Sequence, residues 1–135
     1  MKKLLLSICL ISSTLFALPT KQTFWNTYTA ALRGEPHAQY ETGVMFEQGL
    51  GTDSNQSMAV KWYEKAAIAG HKDAQFNLAI MYASGRGVEQ NIQFAMMWFA
   101  SAAKQGDNEA RKLLNDIIDN KYELRAPLIT PLGVS

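Results

Sequence analysis

Apolar residues recur along the middle of the chain in a pattern that repeats after 36 residues. In residues 73–84 they cover more than one face of a helix, which indicates an element sandwiched between neighbours. A turn with Gly85 and Gly87 follows, and a second helix is predicted to start at Asn91, because asparagine is a favoured N-cap. The same order is predicted 36 residues earlier. A fixed period of this length is typical of a helical solenoid, whose units bury their apolar faces against each other.

The two copies agree at alanines, glycines and aromatic residues. Large rings opposite alanines let neighbouring helices approach closely while the rings fill the gaps. Glycine just past a helix end supplies the left-handed backbone that stops the helix, so the turn glycines are interpreted as helix stops. The repeated positions are Ala38, Gly43, Gly49, Gly51, Trp62, Tyr63, Ala66, Ala67 and Gly70 in the first copy, and Ala74, Ala79, Tyr82, Gly85, Gly87, Trp98, Phe99, Ala102, Ala103 and Gly106 in the second.

The sequence therefore predicts an all-α fold, a superhelix of antiparallel helix pairs with capping half-repeats. The full repeats are assigned to residues 37–72 and 73–108, and the half-repeats to residues 18–36 and 109–120. The tail at residues 121–135 contains prolines, which forbid a regular helix. Its apolar residues favour a tail that folds back over the last helix. The alternative is an extended segment that is free or binds a partner.

The first 17 residues are predicted to be a signal peptide. Lys2 and Lys3 precede a mostly apolar run at residues 4–16, which is shorter than the roughly 20 residues of a membrane span. The expectation is an exported protein, periplasmic or secreted, with no membrane span after cleavage. Lipidation at Cys9 is disfavoured because the preceding Ile8 is not small. An ordinary buried helix is the other alternative.

Composition narrows the range of partners. The chain has 13 basic and 12 acidic residues, and loss of Lys2 and Lys3 changes the net charge from +1 to −1. No basic stripe is present, so nucleic acid is not expected as a partner. Loss of Cys9 would leave no cysteine in the mature chain, so disulfides are not expected to stabilise it.

The repeated residues resemble the Sel-one-like repeat, a relative of the tetratricopeptide repeat with units of similar length. Thr52 departs from the pattern, which has valine there, as at Val88. The resemblance implies an interaction scaffold that binds a protein or peptide. In such solenoids the stacked first helices line a concave surface. The residues expected to contact the partner there are Glu41, Met45, Gln48, Asn77, Met81 and Ser84.

No constellation in the sequence is typical of catalysis or of a cofactor. His37 and His71 are 34 residues apart, which is no ligand spacing on one helix, so no metal site is predicted. Ser101 and Lys104 fit the Ser-x-x-Lys pattern of β-lactam-active enzymes, but they are interpreted as solvent-side residues of a packed helix. The Gly-x-Gly turns lack the context of a phosphate loop. The protein is therefore expected to have no catalytic residue, metal or cofactor.

The preferred hypothesis is an exported scaffold that binds a protein or peptide partner in the cell envelope or the extracellular space. A weak β-lactam-binding or β-lactam-hydrolysing protein is one alternative. A secreted effector is the other, because the same sequence would serve that role equally well.

Overall fold

The structure is a computed structural model that describes residues 20–123, with side chains to residue 120. Every regular element in this range is an α-helix, which confirms the predicted all-α superhelix. The predicted signal peptide and the tail beyond residue 123 lie outside the described residues. The six helices are α1 (Lys21–Leu32), α2 (Pro36–Gln48), α3 (Gln56–Ile68), α4 (Lys72–Ser84), α5 (Ile92–Lys104) and α6 (Asn108–Glu123).

Each helix packs on the next one along the chain. The pairs α2–α3 and α4–α5 are the two full repeats, in which α2 and α4 are the first helices and α3 and α5 the second helices. Helix α1 matches a second helix by register, and α6 matches a first helix. In residues 20–123, no helix is long and apolar enough to cross a membrane.

The core consists of aromatic rings set among alanines. Tyr63 and Phe99, which occupy the same position in the two repeats, have exposed fractions of 0% and 1%. Ala66 and Ala102 are equally buried one helical turn later. Burial of such rings stabilises the fold by roughly 1.5–3 kcal/mol each. The predicted pairing of rings with alanines is confirmed.

The turns explain why each repeat needs two glycines. Gly49 and Gly85 end the first helices with φ of 72° and 69°, as predicted for helix stops. The second glycine has a different role, since a Cβ at Gly51 would lie 2.5 Å from the Thr20 carbonyl oxygen at the start of α1. Gly87 makes the same close approach one repeat later. The interpretation of the second glycine as a further helix stop is therefore replaced by close packing between units.

The helix starts follow the predicted capping chemistry. The Asn55 and Asn91 side chains each accept a hydrogen bond of 3.0 Å from the backbone N–H three residues on. Asp107 accepts one of 2.9 Å in the same way at the start of α6. Pro36 occupies the first turn of α2, where its missing N–H has no helical partner. Four of the helix boundaries thus follow from side-chain chemistry.

One predicted boundary is wrong. Residues 121–123 were assigned to the tail, but α6 continues through Glu123. The first proline of that segment is Pro127. A proline disfavours helix at the residue directly before it, so residues 121–123 can still be helical.

A repeated polar contact, which the sequence analysis did not identify, joins each unit to the one before it. One side chain near the start of each first helix donates to a carbonyl near the end of the preceding second helix. These ends need such partners, because their last carbonyls have none inside the helix. The pairs are Gln39 Nε2 to Ala31 O at 3.4 Å, Gln75 Nε2 to Ala67 O at 3.1 Å, and Arg111 Nη2 to Ala103 O at 3.2 Å.

Candidate functional site between the first helices

Side chains of α2 and α4 meet across the boundary between the two repeats. Both helices pack on α3, and polar and aromatic groups fill the space between them. We call this surface the α2–α4 seam. It consists of His37, Tyr40, Glu47, His71, Asn77 and Arg86.

The Glu47 carboxylate ties the two repeats together at one end of the seam. The Tyr63 hydroxyl of α3 donates to Glu47 Oε2 at 2.6 Å. Arg86, in the turn after α4, donates from Nη2 to Glu47 Oε1 at 2.8 Å. The Glu47 side chain is 19% exposed, so its bond to the buried Tyr63 is partly shielded from water, whereas Arg86 is 50% exposed.

Tyr40 of the seam and its neighbour Tyr63 are held in their protonated form. Burial raises the pKa of Tyr63, and the hydrogen bond to Glu47 raises it further. Burial and then the charge of Asp73 raise the pKa of Tyr40. Neither hydroxyl is therefore activated as a nucleophile or base, and the Tyr63 hydroxyl serves as a hydrogen-bond donor to Glu47.

The two histidines form a pair at the other end of the seam. His37 Nδ1 lies 3.3 Å from His71 Nε2. His71 Nδ1 accepts a hydrogen bond of 3.3 Å from the backbone N–H of Ala74, and the His71 ring stacks on Tyr40 at 4.6 Å between centroids. Because Nδ1 of His71 is an acceptor, its proton is on Nε2, which donates to His37. This geometry favours the neutral form of His71.

Burial lowers the pKa of His71, and the nearby His37 lowers it further, while Asp73 acts in the opposite direction. The spacing of 34 residues predicted no metal site and did not indicate that the two rings are in contact. The signal that could have paired them is the repeat itself. Both residues stand at the start of a first helix, and adjacent units bring these starts together. In residues 20–123, no group of three or more His, Cys, Asp or Glu side chains is arranged so that it could hold a metal ion.

The predicted contact residues fall into two groups. Glu41, Gln48 and Ser84 are exposed, and Asn77 is half-buried within the seam. The Ser84 hydroxyl donates to the Ile80 carbonyl of its own helix at 2.8 Å. These four side chains lie where a partner could reach them, and contact with a partner stays a prediction.

The other two predicted contact residues are part of the core. Met81 has an exposed fraction of 0% and Met45 of 8%. Burial keeps Met81 out of a partner's reach, whereas Met45 lines a groove between α1 and α2. Each first helix is packed between two second helices, and this packing covers both methionines more than Glu41 or Gln48.

The Ser-x-x-Lys pattern in α5 has no catalytic geometry. The Ser101 hydroxyl donates to the Met97 carbonyl of the same helix at 3.0 Å. Lys104 is exposed at the end of the helix. This arrangement agrees with the interpretation of both residues as part of a packed helix.

Comparison with known families gives the class of the protein. The Sel1 repeat matches residues 36–71 and 72–107, together more than half of the 135 residues. The matched units begin one residue before the predicted ones. The chain belongs to the Sel1 repeat family, and its fold is a scaffold suited to protein–protein interaction.

One curated relative is a chitin synthase regulator of Saccharomyces cerevisiae. It is 41% identical over 51 residues, which cover 38% of this chain and 7% of the regulator. The chain thus spans a small fraction of the length of the curated relative it matches.

Three solved structures share the architecture. A Sel1 repeat protein from Oxalobacter formigenes is 38% identical, with a TM-score of 0.65, over 67% of this chain and 68% of the other. A protective antigen of uropathogenic Escherichia coli with an SLR fold is 29% identical, with a TM-score of 0.73, over 83% of this chain and 23% of the antigen. Cysteine-rich protein B of Helicobacter pylori is 22% identical, with a TM-score of 0.66, over 69% and 70% of the two chains. This last likeness concerns the fold alone.

Proposed function

We propose that the protein is an exported adaptor whose first helices bind a segment of a partner protein in the cell envelope or outside the cell. The observation that carries this proposal is the α2–α4 seam. It offers half-buried aromatic rings, an amide and hydrogen-bond donors that are fixed by neighbours before any partner arrives. Preorganised groups of this kind lose little entropy on binding.

The proposed location rests on the sequence. The basic start and short apolar run at residues 1–17 have the composition of a signal peptide. One similar structure is described as a protective antigen of uropathogenic Escherichia coli, and we take this as support for the proposal. Fractionation of the native cells measures the location directly. Mature protein in the periplasm or the medium is the expected result, and retention of the uncleaved chain inside the cell would contradict export.

Site-specific photo-crosslinking in the native cell tests the binding face. The crosslinking amino acid replaces Gln48, which is exposed on α2, and in a matched strain Lys61, which is exposed on the second helix α3. We expect a discrete partner to be captured from position 48 and not from position 61. Equal capture from both positions, or capture from neither, would refute the assignment of the binding face.

A substitution within the seam then tests specificity. Asn77→Ala removes the half-buried amide between Tyr40 and Tyr63 without creating a clash. We expect capture at position 48 to fall in this variant while the circular dichroism spectrum is unchanged. Undiminished capture would place the binding surface elsewhere on α2.

A further inference from the structure

A groove lies between α1 and α2. It encloses about 330 Å³. We call this cavity the α1–α2 groove. Its lining consists of Thr23 and Thr27 of α1, Tyr40, Glu41, Val44 and Met45 of α2, and Leu50 in the turn after α2.

The repeat shows what normally fills such a groove. One period of 36 residues later, the positions of Thr27 and Leu50 are taken by Tyr63 and Arg86. Helix α2 lies directly against these two residues. A Cβ at Gly43 of α2 would lie 2.6 Å from the Tyr63 ring, and Glu47 binds both Tyr63 and Arg86. The α1–α2 groove is therefore the position of a first helix, and within residues 20–123 no helix takes it.

We propose that the α1–α2 groove is a docking site for an amphipathic helix of a partner protein, which takes the place of a first helix. The mode is that of a helix laid into an apolar groove. The site lies beside α1 and shares Tyr40 with the α2–α4 seam. It rests on the proposed removal of residues 1–17 as a signal peptide, because that apolar segment precedes α1. Cell fractionation tests that removal, and peptide binding tests the groove.

The side chains that differ from the next repeat define the partner helix. Thr27 is much smaller than Tyr63, so the incoming helix has room for an aliphatic side chain where α2 must have Gly43. Leu50 replaces Arg86, so the incoming helix presents an apolar residue where α2 has Glu47. Both changes increase the apolar area that binding buries.

Charge defines the third anchor. Glu41 stands where the next repeat has Asn77, which faces Tyr40 of α2. Glu41 Oε1 lies 3.4 Å from His37 Nε2. Because the Glu41 side chain is 50% exposed, a further cation can still reach its carboxylate. The incoming helix therefore presents Lys or Arg where α2 has Tyr40. Because Tyr40, Gly43 and Glu47 are spaced i, i+3 and i+7, the partner motif is a basic residue followed by aliphatic residues at the same spacing.

Binding of designed helical peptides to the mature protein, residues 18–135, tests this motif, because the removed segment itself carries Lys3, Leu6 and Leu10 at this spacing. The first peptide carries Lys at i and Leu at i+3 and i+7, and the second differs by Gly at i+3. Fluorescence anisotropy measures both dissociation constants. We expect the Leu peptide to bind wild-type protein about ten-fold more tightly, since its extra side chain is buried against Thr27.

Variants of the protein complete the design. Thr27→Phe restores the aromatic ring of the internal repeats, and we expect it to reverse the preference so that the Gly peptide binds better. Glu41→Lys places like charges together and should weaken the Leu peptide about ten-fold. Glu89→Lys makes the same charge change at an exposed position in the turn after α4 and should alter binding less than two-fold.

Several outcomes would overturn the proposal. No binding of the Leu peptide to wild-type protein would do so, as would equal effects of Glu41→Lys and Glu89→Lys. If Thr27→Phe does not fold, the comparison of those two variants still decides. A self-associated protein that becomes monomeric in Glu41→Lys, seen by sedimentation velocity, would assign the groove to a second copy and refute the partner helix.

Discussion

The two full repeats share their packing and differ in their polar contacts. Their helix-start asparagines have nearly the same backbone, with φ of −149° at Asn55 and −147° at Asn91. Their buried rings occupy equivalent places. However, Tyr63 of the first repeat bonds to Glu47, whereas the second repeat has Phe99 and Ala83 at these positions.

This difference separates two kinds of information in one sequence. Residues that repeat every 36 positions build helices, turns and core, and they would do so in any member of the array. The Glu47 network and the histidine pair occur once, at the boundary between the repeats. We infer that the unrepeated groups of the α2–α4 seam are the ones that give this particular scaffold its recognition properties.

The largest expected effect tests the repeated packing. Gly87→Ala would place a Cβ against the backbone of Gln56 and force a side chain into a backbone conformation with φ of 72°. Strain and overpacking together should lower the free energy of unfolding by about 3 kcal/mol. Urea denaturation measures this loss.

Gly106→Ala is the matched control for the same substitution. Its φ is 92°, but a Cβ there would meet no atom within 4 Å. Only the conformational strain remains, so the expected loss is about 1 kcal/mol. Equal losses in the two variants would mean that the fold needs glycine at position 87 for its backbone angle and not for the close approach between units.

Much of this packing could be predicted from the sequence, because each structural residue type occurs at the same position in both copies of the repeat. One glycine past a helix is a weak indication, but Gly49 and Gly85 at the same register are a strong one. The caps at Asn55 and Asn91 were predicted on the same basis. The single-copy residue groups gave no such signal, since Glu47, Tyr63 and Arg86 are distant in sequence and meet only in the folded array.

The buried methionines show a second limit of sequence reasoning. A helical face was inferred correctly for Met45 and Met81, but which face meets solvent depends on the neighbours of the helix. A first helix in this fold is covered by second helices on two sides, so its exposed strip is narrow. Periodicity tells which residues share one face of the helix, and tertiary packing decides whether that face meets solvent.

An intermediate effect tests the unrepeated polar contact. Tyr63→Phe makes the first repeat resemble the second and removes the hydroxyl that donates to Glu47. We expect the free energy of unfolding to fall by about 1–2 kcal/mol, the range for a bond to a charged group. Tyr82→Phe is the control, because the Tyr82 hydroxyl makes a longer bond of 2.9 Å to Glu64.

A double-mutant cycle sharpens this test. Glu47→Ala is made in the wild-type and Tyr63→Phe backgrounds, which brings both positions to the residues of the second repeat. If the hydroxyl and the carboxylate are coupled, Glu47→Ala should cost about 1 kcal/mol less when the hydroxyl is absent. Additive losses would show that the contact contributes nothing beyond the two separate side chains.

The smallest expected effect is the pH dependence of the histidine pair. The pKa of His71 is lowered from its ordinary value of 6.5 by burial and by His37, so the folded protein favours the neutral ring. The unfolded chain then binds more protons near pH 6.5, and stability rises with pH through this range. The contribution is present above pH 6.5 and is lost as the pH falls from there towards the lowered pKa.

His71→Asn separates titration from capping. Asparagine keeps a side-chain acceptor for the Ala74 N–H, as Asn55 and Asn91 do at their helices, but it carries no proton that titrates. Melting temperatures recorded between pH 5 and pH 8 should fall less towards acid in this variant than in the wild type. An unchanged slope would mean that His71 does not contribute to the pH dependence of stability. Loss of the slope would show that His71 accounts for the loss of stability towards acid in this pH range.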